Sequence, residues 1–451
     1  MKLSGKKVHF IGICGISLSA LAVMAQHLGA VVSGSDLAGG EVAEHLKKLG
    51  IIVFSNHSKH NVSGVDIVVY SSAIGIDNPE LVFARRNKIK IFKRAEFLYE
   101  ISKEYDNVIA ISGCHGKTTT TAMISQIFID AGLNPTIHIG GEFSYINGNV
   151  KIGDKKFFIT EACEYKNNFL KLSPFVSVVL NVQSDHLDFF KNFDNVKLAF
   201  FKFLKRTKKD GFVITNIDDD NIMVPCYTKN MTFSMFNAGF VNAVNICEYD
   251  DGTFSFDCLA DGAIKGKVKL NVCGKHNIYN ALASILVARV FNVSFEKIFK
   301  SLENFKGVDR RFQLMGKINK ASIIIDYAHH PTEIESSIET AKRFTKGKII
   351  AIFQPHTYSR TQAFFNEFID SLSGADKIAF YSIYPARENP ILGVSNNALS
   401  ESAKQRNLDA CALNNYEELK DFIYKNANPK NTILILGAGD FVEVCNQLVF
   451  D

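Results

Sequence analysis

The run Val108-Ile-Ala-Ile-Ser-Gly113-Cys-His115-Gly116-Lys117-Thr118-Thr119-Thr-Thr121 sets a lysine and a row of hydroxyls directly after a glycine turn. An apolar strand, a turn and a helix start are what a phosphate requires. Backbone N–H groups at such a turn face an anion, and the helix N-terminus adds a favourable field. Lys117 can reach terminal phosphates, and the Thr118 hydroxyl can ligate Mg²⁺. The pattern departs from the usual phosphate loop, which has a glycine where this chain has Ile111. The plainer alternative is a structural turn with an incidental lysine, which leaves the threonine run unexplained. ATP is the expected ligand, with Gly113, His115, Gly116, Lys117, Thr118 and Thr119 as its loop.

Other clusters have weaker signals. Gly12-Ile-Cys14-Gly15-Ile-Ser17 approaches a dinucleotide fingerprint, but Cys14 and Ser17 stand where glycines would. An NAD site, another nucleotide site and a structural turn all remain open there, with Asp36 placed to meet a ribose hydroxyl. Glu161-Ala-Cys-Glu164 and Asp185-His186-Leu-Asp188 follow strand-like runs. They read either as Mg²⁺ ligands or as caps and surface groups. Asn277 and Asn280 fall one turn apart at a helix start, where spacing favours an N-cap over a base-reading pair. Asp326-Tyr-Ala-His329-His330-Pro-Thr-Glu333 and Gln354-Pro-His356-Thr357-Tyr-Ser-Arg360 each end a strand, which suits an anion or amino-acid pocket.

The elements that must position these groups alternate. Short apolar strands such as Val8–Ile11, 66–70, 156–160, 176–180, 322–326, 348–353 and 432–436 are separated by amphipathic helices. That alternation predicts parallel α/β sheets. The 451 residues exceed one core and divide into segments 1–98, 99–306 and 307–451. The stretch from Met223 to Lys269 reads as β-rich, either a hairpin insertion or a separate sheet. A net charge of +5 and a densest basic run of only Lys205-Arg206-Thr-Lys208-Lys209 argue against a nucleic-acid partner. Nine cysteines include no C-x-x-C pair, which argues against a zinc ribbon or redox motif, and their odd number argues for reduced thiols. With no membrane-length apolar run, a cytoplasmic protein is expected.

Taken in order, the motifs closely resemble those of the bacterial Mur ligases. His9-Phe-Ile-Gly-Ile, Ser71-Ser72-Ala73, Gly-Cys-His-Gly-Lys-Thr-Thr, Glu161-Ala-Cys-Glu, Ser-Asp-His186, Gly-Lys-His-Asn277, Arg310-Arg311-Phe, Asp-Tyr-Ala-His-His-Pro-Thr-Glu, Phe-Gln-Pro-His356 and Gly437-Ala-Gly-Asp440 span the whole chain. The Asp-Tyr-Ala-His-His-Pro-Thr-Glu and Phe-Gln-Pro-His pair resembles the branch that adds L-alanine. The resemblance implies an α/β protein of three domains in series: Rossmann-like, P-loop ATPase-like and Rossmann-like. It implies UDP-N-acetylmuramate contacts at Gly12, Gly15, Ser17, Ser35, Asp36, Ser71 and Ser72. ATP would use the lysine loop, Asn277 and Asn280, and Arg311 and Asp326 from the third domain. Thr118, Glu161 and His186 would hold Mg²⁺. His329, His356 and Arg360 would surround the incoming alanine and, with Lys117, form the catalytic set. Cys14, Ser17 and Leu18 depart from the family's glycine- and methionine-bearing turn. Thr357 stands where many relatives have arginine, which shifts carboxylate recognition to Arg360. Lys197 and Lys202 are the nearby candidates for the carbamylated lysine of some relatives.

The implied reaction is ATP-dependent amide formation through an acyl phosphate, with domain closure to exclude water. UDP-N-acetylmuramate, L-alanine and ATP would be the partners of a monomer or weak dimer. Three rivals remain. A dehydrogenase leaves Gly-Lys-Thr unexplained. A nucleotide-driven switch leaves the histidine-rich third segment idle. A related ligase that attaches a preformed peptide differs least.

Overall fold

The computed structural model describes residues 2–37, 39–71, 74–386, 388–439, 441, 445 and 447–450, with Leu187 and Asp188 described in backbone only. Ser72, Ala73 and Asp440 of the motifs above lie outside the described residues. The chain forms two compact units. Unit 1 comprises residues 1–246, 255–271 and 275–306; unit 2 comprises 247–254, 272–274 and 307–451. Three sheets follow one another along the sequence.

The first sheet is wholly parallel, in the order Ile52–Phe54, Val31–Ser35, Lys7–Ile11, Ile67–Tyr70, Lys90–Lys93. Its strands Lys7–Ile11 and Ile67–Tyr70 are nearly all apolar because both faces are covered. The order reverses between these two strands, which opens a crevice at their carboxyl ends. The turn at Gly12 and the residue Ser71 both sit there. Helix Ile16–His27 follows the turn, and helix Pro79–Arg86 starts on Asn78, whose side chain accepts from the Glu80 and Leu81 amides.

The central sheet runs Ala263–Leu270, Phe254–Ala260, Val241–Glu248, Lys229–Ser234, Phe212–Asn216, Val176–Val179, Asn107–Ser112, Phe157–Glu161, Thr136–Phe143, Gly148–Lys151. The stretch from Met223 to Lys269 is therefore neither an inserted hairpin nor a separate sheet. Lys229–Ser234 pairs in parallel with Phe212–Asn216 and carries the central sheet outward. Helix Lys117–Asp130 leaves the centre of this sheet and packs beside helix His276–Val290. A single apolar cluster joins Phe10, Phe97 and Val69 of the first sheet region to Val108, Phe158, Phe200 and Phe203 of the central one. That shared core makes the first two sheets one unit.

In unit 2 the order is Gln313–Ile318, Ala321–Asp326, Thr432–Leu436, Ile349–Phe353, Lys377–Tyr381, Ala410–Leu413. Only the first pair is antiparallel. Alternate residues serve opposite faces: Ile349, Ala351 and Phe353 pack in one cluster, Ile350 and Ile352 in the other. No described helix is long and apolar enough to cross a membrane.

One glycine sets how closely the first crevice can be built. A Cβ on Gly34 would lie 2.5 Å from Ile13 Cδ1 and 2.7 Å from the Phe10 carbonyl oxygen. Gly34→Ala is expected to cost about 1–3 kcal/mol by overpacking, read as a lowered urea midpoint. An unchanged midpoint would refute the close approach.

Candidate active site

The lysine loop is held between its two neighbouring strands. Asn107–Ser112 pairs with Val176–Val179 on one side and Phe157–Glu161 on the other. From the first side Asn181 clamps the loop: its Oδ1 accepts from the His115 amide at 2.9 Å, and its Nδ2 donates to the His115 carbonyl at 3.0 Å. Gly113 and Gly116 have φ of +146° and +84°. A Cβ on Gly116 would lie 2.5 Å from Asn280 Oδ1, so both backbone and space require glycine there. Thr118 is buried at the start of the helix and Thr119 is half-buried.

Lys117 Nζ donates to the Gly113 carbonyl at 2.5 Å, the Cys114 carbonyl at 3.1 Å and Glu164 Oε1 at 3.0 Å. Burial works against the ammonium, but the Glu164 carboxylate together with Cys163 and Cys114 outweighs it and raises the lysine above its ordinary range. The side chain is therefore charged inside the loop. Burial pushes the Cys114 thiol up to about 12, which leaves it protonated and inert.

His186 gathers two carboxylates. Its Nε2 lies 3.7 Å from Glu164 Oε1 and its Nδ1 3.8 Å from Asp185 Oδ1. One ligand atom from each of the three residues falls within a 4.8 Å group. Glu161 is not in that group; its Oε1 accepts the Gly140 amide at 2.7 Å. Glu164 Oε2 is buried with no hydrogen-bond partner among the described residues. Two carboxylates, an imidazole and an unsatisfied buried oxygen fit a hard divalent cation. The sequence offers both strand-end clusters as Mg²⁺ ligands, and only the family resemblance singles out Glu161 and His186, since nothing in the spacing chooses among Glu161, Glu164 and Asp185. Lys197 is paired with Asp194 at 2.7 Å, and Lys202 lines a cavity of about 250 Å³ with Asn167, Phe189 and Lys191.

Asn277 and Asn280 are inside their helix, not at its cap, which is Lys275. Asn280 Nδ2 donates to Asn277 Oδ1 at 2.8 Å, and Asn280 Oδ1 accepts from Thr120 at 3.1 Å. Both amides are buried and tie this helix to the lysine-loop helix. Beside them, burial lowers His276 to about 4.

In the first crevice the Gly12 amide donates to the Ser35 carbonyl at 2.7 Å, and the Cys14 amide donates to Asp36 Oδ2 at 2.9 Å. Gly15 donates back to Gly12. Asp36 thus shapes the turn with one oxygen. Ser35 is fully buried, and its hydroxyl is committed to Glu80 Oε2 at 2.5 Å and His57 Nδ1 at 2.9 Å. Glu80 also accepts from Asn61 and the Ser58 amide and lies 3.6 Å from His9. Ser17 Oγ accepts from Arg94 at 3.1 Å and meets His138 Nε2 at 3.0 Å. Burial and the Arg94 charge hold His138 down to about 3, so the imidazole is neutral. Ser71 donates its amide to the Ile11 carbonyl. Sequence reasoning missed Glu80, His57, Arg94 and His138, which lie outside any glycine or strand-end motif.

Within unit 2, Asp326 and Gln354 end strands on either side of Thr432–Leu436. Burial pushes the Asp326 carboxyl up to about 6, against the Ser337 hydroxyl, with which it bonds, and the Arg311 charge. Arg310 donates to the Gly439 carbonyl at 2.9 Å, while Arg311 lies over the Tyr327 ring at 5.1 Å. The His329 and His356 rings lie 6.3 Å apart, and His356 stacks on Tyr384. His329 Nδ1 faces the Tyr327 carbonyl at 2.9 Å and its amide donates to Glu333 Oε2. Burial, reinforced by Arg360, lowers both imidazoles, His356 to about 4. The structure thus brings His329, His356 and Arg360 together.

A depressed histidine stabilises the fold above its unfolded pKa of about 6.5, and that contribution is lost as pH falls through the folded value. His356→Gln cannot titrate. The wild type is expected to lose stability relative to this variant as pH falls from 6.5 through about 4, measured by urea midpoints. A gap independent of pH would contradict the buried neutral ring.

Three family models match in series: the Mur ligase family catalytic domain over 7–106, the Mur ligase middle domain over 111–288, and the Mur ligase glutamate ligase domain over 310–439. A UDP-N-acetylmuramate–L-alanine ligase of Clostridium tetani is 43% identical over 437 residues, 96% of each chain. One of the same name from Clostridium acetobutylicum is 42% identical over 97% of this chain and 96% of its own. Among solved structures, UDP-N-acetylmuramate-alanine ligase MurC of Thermotoga maritima superposes with a TM-score of 0.83 at 29% identity, covering 98% of this chain and 97% of its own. A murein peptide ligase of Psychrobacter arcticus shares the fold, with a TM-score of 0.75 at 22% identity over 99% of this chain and all of its own. With matching domains across its length and relatives above 40% identity, this chain belongs to the Mur ligase family.

Proposed function

We propose that this Mur ligase joins L-alanine to the lactyl carboxylate of UDP-N-acetylmuramate and converts ATP to ADP and phosphate. The observation that carries the reading is the near-complete alignment, at 43% identity, with a ligase of that name. Residues 1–98 are assigned to the sugar nucleotide, 99–306 to ATP and 307–451 to the amino acid. The turn at Gly12, Gly15 and Ser17, with Asp36, Ser71 and Ser72, is assigned to the UDP moiety. Ser35 supports that turn from beneath through Glu80.

A carboxylate does not accept an amine, because oxide is a poor leaving group. Attack of the lactyl carboxylate on the γ-phosphorus forms an acyl phosphate and releases ADP. The alanine nitrogen then attacks the carbonyl carbon, phosphate leaves with the bridging oxygen, and the amide remains. Lys117 offsets the repulsion between the two approaching anions. Holding the carboxylate in line contributes up to about 7–11 kcal/mol in favourable cases. Mg²⁺, when bound, supplies positive charge at the phosphoryl oxygens. Thr118, Glu161 and His186 are its motif ligands, with Glu164 and Asp185 beside His186. Arg360 is assigned to the alanine carboxylate. His329 Nδ1 is turned to a carbonyl, which leaves Nε2 of the neutral ring as the acceptor for the amine proton.

Purified protein with UDP-N-acetylmuramate, ATP, Mg²⁺ and a panel of amino acids and peptides tests this reading by phosphate release. L-alanine is the expected best substrate; release with a preformed peptide alone would assign the chain to the peptide-adding branch. Lys117→Ala is expected to abolish turnover in a folded protein. Arg360→Ala is expected to raise KM for alanine by about tenfold or more, the value of a charged hydrogen bond, with little change for ATP. Equal losses for both substrates would refute the carboxylate role.

A further inference from the structure

The resting position of Lys117 raises a question that the ATP assignment does not answer. An ammonium has three donors, and here all three are engaged, by two loop carbonyls and Glu164. A phosphate can take the lysine only if at least one of these bonds opens. Among the described residues Glu164 is the sole charged partner, and its side chain is only 2% exposed. Removing the lysine from it would leave a buried carboxylate without compensation, which is strongly unfavourable.

Two observations show what can compensate. Glu164 Oε2 is already buried without a partner among the described residues, so the carboxylate is under-satisfied even in the resting state. Its Oε1 also lies 3.7 Å from His186 Nε2, and Asp185 completes the group. A divalent cation there would meet the freed Oε1 and offset the charge of a carboxylate whose Oε2 is already unpartnered among the described residues.

We propose that Glu164 is an exchange residue: it is the counter-ion of Lys117 in the empty loop and becomes a cation ligand beside His186 when a triphosphate takes the lysine. The inference rests on the assignment of ATP to this loop. It makes nucleotide and cation binding mutually dependent, because each relieves the cost that the other meets. In the absence of a cation, Glu164 opposes nucleotide binding; with one, it favours it.

Calorimetry with β,γ-imido-ATP, in EDTA and in Mn²⁺, tests this on the full-length protein. In EDTA, Glu164→Gln is expected to bind the analogue several-fold more tightly than wild type. Its gain in affinity on adding Mn²⁺ is expected to fall by about tenfold or more, the size of an ordinary coupling. Asp185→Asn, which removes a charge that does not touch Lys117, is expected to keep the wild-type affinity in EDTA. Equal tightening in both variants, or an unchanged Mn²⁺ gain in Glu164→Gln, would overturn the exchange. A wild type that binds no analogue in either condition would instead overturn the ATP assignment, and the exchange with it. Mn²⁺ alone, followed by electron paramagnetic resonance, gives a second readout should Glu164→Gln not fold. Lys117→Met is expected to bind Mn²⁺ several-fold more tightly than wild type, and adding Glu164→Gln is expected to cancel the gain. A Lys117→Met protein with wild-type Mn²⁺ affinity would refute the proposal.

Discussion

Lys117 carries a full positive charge into a loop with little solvent, and much of unit 1 is arranged so that it can. A buried ammonium is tolerated only with partners close by. The partners are three: two carbonyls of the turn itself, and a carboxylate from just past the end of the adjacent strand. The loop must then be fixed from its other side, which Asn181 does with a pair of bonds to His115. The helix behind it is locked by Thr120, Asn280 and Asn277. Parallel pairing of three strands brings these chain-distant groups to one sheet end.

The same logic recurs in the other two sheets with different chemistry. In the first, a carboxylate is again the buried organiser, but Glu80 gathers neutral and aromatic donors and holds a strand end from below. In the third, two imidazoles are kept uncharged by burial and a neighbouring guanidinium. A charged lysine suits phosphate; a neutral imidazole suits acceptance of an amine proton. The three environments differ in what they do to a titratable group, and the proposed division of labour among the strand ends rests on that difference.

The legible part of the sequence was local. Apolar runs such as Val8–Ile11 and 432–436 announced buried parallel strands, and Gly-Lys-Thr after one such run, 108–112, announced a left-handed glycine turn and a helix start. What stayed hidden depends on pairing across distance. Glu164 sits three residues from Glu161 and has the same type, yet strand-end geometry sends Glu161 to Gly140 and Glu164 to Lys117. Ser35 entered as a sugar-nucleotide contact through the resemblance alone, and no local pattern announces that Glu80, 45 residues on, binds its hydroxyl. Asn277 had the spacing of a cap, whereas the helix begins one residue earlier and turns its amide inward. The strands after Met223 were visible as strands but not as a continuation of the central sheet, since edge pairing has no local signature.

The central chemical claim is that the sugar nucleotide's carboxylate, not water, attacks ATP. Labelling both oxygens of the lactyl carboxylate with ¹⁸O and analysing the phosphate released with L-alanine tests this directly. Passage through an acyl phosphate places one labelled oxygen in each phosphate and leaves the other in the amide. Phosphate free of label would mean that water attacked the γ-phosphorus, and the ligase mechanism built around Lys117 would be wrong.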